Sequence, residues 1–169
     1  MKQILLLLLL LPFAAFSQRI QSDQTDELSP SRRIATSRVE FEGVTTSFAA
    51  VLTINDCDTL LCMNLFFRAG KPTSTDEKTK ALLKLENGEI IQAYNHGTHK
   101  DLSASETGFI IFALAQKDKI KLLMNKVISY SIKTSHANVE VELNDRQQNT
   151  FYKTIHLLES QANSLAVLE

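Results

Sequence analysis

The pair Asn87 and Gly88, set between two runs of strand-forming residues, constrains this chain more tightly than any other feature. Asn-Gly is the preferred filling of a two-residue type I′ hairpin loop, because both central positions need positive φ and these residues reach it at little cost. The flanking runs, 81–86 and 89–94, are therefore expected to pair antiparallel, with the loop fixing which residues face each other. That register sets Leu85 opposite Ile90, Leu83 opposite Gln92 and Ala81 opposite Tyr94 on the core side. Lys84 opposite Ile91 and Glu86 opposite Glu89 then point to water. An isolated hairpin is marginal in water, so the rest of the chain must supply more sheet or a covering helix.

Such segments stand on both sides of it. Val39 and Phe41 alternate with charged residues, 45–54 is rich in β-formers, and 60–69 follows a turn at 55–58 marked by Asn55, Asp56 and Asp58. Residues 70–76, with Pro72, and the polar stretch 95–107 read as loops. Residues 109–115 form a short run dense in aromatic and β-branched side chains, the pattern of a strand buried on both faces. Ser103 with Glu106 offers an alternative, a capping box opening one long helix to Asn125. Gly108 and the β-branched content weigh towards a strand followed by a short helix over 117–126, with Ile120, Leu123, Met124 and Val127 as its apolar stripe.

Two alternating runs, Ile128, Tyr130, Ile132 and Val139, Val141, Leu143, predict a second hairpin around 135–138. Asn144 with Gln147 predicts a capped terminal helix whose Phe151, Ile155, Leu158 and Leu165 lie along one side. The expected class is α+β, a mainly antiparallel sheet with a short helix and a C-terminal helix packed on it.

The first residues address the chain. Lys2 precedes an apolar run over 4–11, well short of the roughly 20 residues that span a bilayer, and small residues at Ala15 and Ser17 follow. Residues 1–17 are read as a cleaved signal peptide, 18–35 as a disordered polar leader and 36–169 as one domain, periplasmic or secreted. No cysteine stands just after the apolar run to carry a lipid, so no stable membrane anchor is expected. Loss of Lys2 leaves 17 basic against 19 acidic residues, which gives no positive field to attract nucleic acid.

An oxidising compartment raises a Cys57–Cys62 disulfide. Five residues of extended strand separate their ends by roughly 16 Å, whereas bridged Cα atoms lie about 4.4–6.8 Å apart. The bridge therefore requires 57–62 to be a bend. The alternative is a pair of reduced or buried thiols, and the spacing does not match the C-x-x-C of an oxidoreductase.

The order of an Asn-Gly hairpin over 83–91, a polar loop, an apolar strand over 109–114, a lysine-rich short helix over 117–126, a strand pair and a terminal helix resembles small exported proteins of unknown function common in Bacteroidota-type bacteria. That resemblance covers roughly residues 79–160. It implies a surface or periplasmic domain and brings no catalytic residues with it.

Candidate chemistry is sparse. His96, His99 and Asp101 could contribute to a metal site, but such a site needs three or four ligands, and His136, His156 and the cysteines would have to converge on them. No Gly-x-Ser-x-Gly elbow occurs, and five scattered glycines build no phosphate loop. Glu140 and Glu142 alternate as a solvated strand face does, and the lysines of 117–126 suit the wet side of a helix. No pattern calls for a cofactor. The expected function is a non-enzymatic binding module with a protein or small-molecule partner. The alternatives are a metal-dependent hydrolase at His96 and His99, or a carrier enclosing an apolar ligand between sheet and helix.

Overall fold

The structure is a computed structural model that describes residues 19–25, 31–41, 46–55 and 58–164. The leader 1–17, Cys57 and Leu165 lie outside the described residues. The protein is α+β, and its described residues form antiparallel sheets and two helices, the second of them towards the C-terminus. The first sheet runs β1 (Ile20–Thr25), β2 (Arg32–Thr36), β4 (Ser47–Asn55), β5 (Asp58–Arg68) and β10 (Thr107–Leu114), with the short β3 (Val39–Glu40) also paired to β4. The second runs β12 (Asn138–Glu142), β11 (Val127–Lys133), β7 (Lys80–Leu85) and β8 (Ile90–Tyr94). A small ribbon joins β6 (Thr73–Thr75) to β9 (Lys100–Leu102), inside two stretches that read as loops in the sequence. The helices are α1 (Gln116–Met124) and α2 (Asp145–Asn163).

The reading of 18–35 as a disordered leader is corrected, because its described residues carry β1 and most of β2, paired with each other and with β4. Ile34 is the single large apolar side chain of β2 and is wholly buried, a gain of about 2 kcal/mol. Arg32 adds a polar clamp. It grips the Asp23 carboxylate through Nε at 2.8 Å and Nη2 at 2.6 Å, and donates to the carbonyls of Gln161 and Ala162 at the end of α2.

The hairpin of β7 and β8 forms, but with its register moved by one residue. Ala81 faces Ala93, Leu83 faces Ile91 and Lys84 faces Ile90. Gly88 N–H bonds to Leu85 O, and Leu85 N–H to Glu89 O, each at 2.9 Å, with Gly88 at φ 88°. This is a three-residue loop with glycine in the left-handed position, not the two-residue turn. A one-residue slip exchanges the faces of a strand. Ile91 and Ala93 are therefore buried, while Ile90 and Tyr94 are 59% and 49% exposed. The physical reason is the core, since the two-residue register would bury Gln92 and expose Ile91. Glu86 and Glu89 do not oppose each other: Glu86 accepts from Lys126 N–H, and Glu89 pairs with Lys121 Nζ at 3.0 Å.

Residues 103–126 are a strand and a helix, not one helix. Glu106 does reach back to Ser103 N–H at 2.7 Å, yet this half of a capping box closes a turn that leads into β10. The face of α1 also needs correcting. Lys119 and Leu122 are the buried positions, and Ile120 and Met124 are exposed. The helix is rotated because Lys119 Nζ meets Glu159 of α2 at 3.3 Å and Leu123 O faces the Tyr152 hydroxyl and His156 Nε2 at 3.3 and 3.0 Å. Helix α2 begins with the expected capping box, Asn144 and Gln147 each bonding the other's backbone N–H.

The two main sheets meet where the chain leaves β8 beside β10. His96 N–H donates to Ile111 O at 2.7 Å, and Ile111 N–H to Asn95 Oδ1 at 3.0 Å. Their inner faces and α2 share one apolar cluster. Phe48 of β4 stacks on Phe151 of α2 at 4.3 Å, with Ile155 and Leu158 beside it and Leu83, Leu85 and Ile91 from the second sheet.

Candidate functional site

The segment after β8 is organised by Asn95, a buried amide with every polar group engaged. Its Oδ1 accepts from Gly97 N–H at 2.9 Å and from Ile111 N–H, and its Nδ2 donates to Asp76 O at 3.1 Å. This anchor leaves His96 exposed on the surface. His99 Nε2 lies 3.3 Å from Asp101 Oδ1, both side chains in water. His136 is exposed in the turn before β12, and His156 is engaged with Leu123 O. Among the described residues no group of three or more His, Cys, Asp or Glu is placed to hold a metal ion. The structure thus brings His99 to Asp101 and brings no third ligand to either.

Cys62 sits in β5 as a free thiol, opposite Val51 and Ala113. The backbone from Asp58 to Cys62 is straight strand, without the bend a bridge to Cys57 would need. Burial pushes the Cys62 thiol above its ordinary pKa, with the Arg33 charge pulling weakly the other way, so it is a poor nucleophile.

A depression of about 200 Å³ on the outer face of the second sheet is lined by Leu82, Lys84, Ile90, Ser129, Glu140 and Glu142 among others. It is smaller than the roughly 300–1,000 Å³ of ordinary ligand pockets.

The largest chemical anomaly is the outer face of the first sheet. In β4, β5 and β10 the inward residues are apolar, as a core requires: Phe48, Ala50, Leu52, Leu61, Met63, Leu65, Phe67, Ile110 and Phe112 are buried. The residues that alternate with them should be polar if that face met only water. Instead, beside the polar Ser47, Thr53 and Asn64, they include Ala49, Val51, Leu60, Cys62, Phe66, Phe109, Ile111 and Ala113, of which Val51 is buried. Phe109 is 43% exposed and Leu60 39%. The expectation that 109–115 is buried on both faces is corrected accordingly, because Phe109 is exposed and Ile111 and Ala113 are only half-buried. Two apolar cross-strand rows flank a third, Ala49, Asn64 and Ile111, whose centre is polar. Phe66 faces Phe109 with ring centroids 5.9 Å apart, and Val51, Cys62 and Ala113 form a second row.

Arginines mark its edges. Arg38 places its guanidinium 4.3 Å from the centre of the Phe66 ring and donates from Nε to Ser47 Oγ at 2.6 Å. Arg68 lies beside Thr107 at one end, and Arg33, on β2, near Cys62 at the other. The run 60–67, apolar except for Asn64, was the signal available in the sequence, but it reads equally as a strand with two covered faces. Comparison of the chain with known protein families, with curated proteins and with solved structures finds no match.

Proposed function

We propose that the chain is an exported, non-enzymatic interaction module whose working surface is the outer face of the first sheet. One observation carries the reading: the outer faces of β4, β5 and β10 are largely apolar, and Phe109 and Leu60 on them are exposed. Contiguous apolar surface rimmed by polar groups is what a partner removes from water. The apolar leader supports export, and the space between sheet and α2 that a carrier would need is filled by Phe48, Phe151, Ile155 and Leu158.

Site-specific photo-cross-linking in the cells that make the protein tests this. A benzophenone side chain in place of Phe109 should yield a discrete adduct, and the same group in place of Glu142, on β12 of the second sheet, should not. N-terminal sequencing of the protein should begin at Gln18. Equal adducts from both positions, or none from position 109, would sink the reading.

A further inference from the structure

We infer that the partner is an acidic polypeptide segment that lies along this face with apolar side chains on its floor and carboxylates at its arginines. The inference rests on the interaction-face reading above and deepens it. The floor is Val51, Cys62, Phe66, Phe109, Ile111 and Ala113, with Asn64 among them. Around it stand Arg33, Arg38 and Arg68; among the described side chains the carboxylate on the same face is Glu40, 3.9 Å from Arg38. No carboxylate pairs with Arg33 or Arg68 among the described residues. The chain as a whole is slightly acidic, so this excess of positive charge belongs to the face and not to the surface at large. Guanidinium groups are the side chains best suited to bidentate carboxylate recognition.

A second copy of the chain fits less well. Stacking the face on itself about any two-fold axis brings arginines towards arginines, with Glu40 the offsetting carboxylate among the described side chains. The area is also small. Four strands at about 4.8 Å spacing and a run of about 26 Å along β5 give roughly 500 Å², below the roughly 800 Å² per partner of a stable complex. A short extended segment needs no more than this, and its affinity falls in the micromolar range.

The probe is a display library of random peptides of about 12 residues, long enough at about 3.3 Å per residue to run the length of the face, selected on the protein as exported. The expected pool is net acidic with interspersed apolar residues, and its binding weakens as salt is raised. The double variant Arg33→Glu, Arg68→Glu should weaken it about tenfold or more, and Phe109→Ser should also weaken it. Both arginines are at the surface, and unchanged melting of the variants checks that the fold is intact. A neutral or basic pool, an empty selection, or an acidic pool indifferent to the arginines overturns the inference. Peptides that depend on Phe109 but not on the arginines leave the interaction face standing and remove only the acidic partner. Peptides indifferent to both remove the face as well. Arginine-dependent binding to phosphatidylglycerol vesicles, with no peptide enriched, assigns the face to a membrane and equally overturns the proposal.

Discussion

At the scale of single residues, Tyr130 shows what burial without a partner does. It faces inward on β11, between Leu83 and Val141, in the position its alternation with Ile128 and Ile132 predicts. Its hydroxyl is buried with no hydrogen bond, and so is the Thr46 hydroxyl, which comes near it without making one. Burial carries the phenol up to about 12, with Thr46 pulling weakly back. The folded chain therefore holds this proton after the unfolded chain has lost it at about pH 10. The contribution to stability is whole below about pH 10 and disappears as the pH rises to about 12, a loss on the order of 2 kcal/mol. Tyr130→Phe should abolish that alkaline loss and, at neutral pH, leave stability unchanged or raised by up to about 1 kcal/mol, because an orphaned hydroxyl is gone. Urea unfolding of both proteins at about pH 8 and 11 measures the difference, which excludes the lysines that titrate in each. An equal alkaline loss in the variant would show that Tyr130 ionises freely. Lys119 teaches the complementary lesson. A lysine in a helix reads as solvent-facing, and only a carboxylate forty residues away, Glu159, explains why this one is buried.

At the scale of elements, short-range signals were legible and long-range ones were not. The cap at Asn144, the second hairpin and the strand-then-helix order of 103–126 rest on neighbours in sequence, and the structure contains them. Strands β1, β2, β6 and β9 are short and polar, and exist because partners elsewhere in the chain complete their ladders. The β7–β8 hairpin lies between these cases. Asn-Gly suits both a two-residue and a three-residue loop, and the choice is made by whether Ile91 and Ala93 or Ile90 and Gln92 reach the core. The observed loop needs only Gly88 in the left-handed region, at φ 88°, and a Cβ there would meet nothing within 4 Å. Gly88→Ala should therefore cost about 1 kcal/mol from backbone conformation alone, and Gly88→Asn less. Denaturation midpoints decide it. A cost much above this would mean that the loop is packed as well as strained, and no cost would mean that Gly88 does not hold the left-handed conformation.

At the scale of the molecule, the outer face was the least legible part, because an apolar residue in a sequence does not say which side of the sheet its own chain will cover. The joining of the sheets was equally hidden: Asn95 looks like an ordinary loop residue. It is instead a buried amide bonded to Asp76, Gly97 and Ile111, and so ties the end of β8 to the middle of β10. Removing it strands two N–H donors and a carbonyl in a site with little access to water, at about 1–3 kcal/mol for each group left unsatisfied. Relaxation and water entry will recover part of that, so Asn95→Ala should cost about 3 kcal/mol. Asn95→Asp keeps an acceptor for the two donors but turns the contact with Asp76 O repulsive, and should fall between the variant and the parent. Two structural features hold the sheets together even without the amide. His96 N–H still reaches Ile111 O, and α2 packs its Phe151, Ile155 and Leu158 into a core to which both sheets contribute. Unfolding of Asn95→Ala in urea should therefore remain one transition, with a lower midpoint and an unchanged slope. If far-UV circular dichroism and amide exchange instead separate two transitions, the sheets are independent units that only this side chain joins, and a core shared through α2 would not be what makes the molecule fold as one.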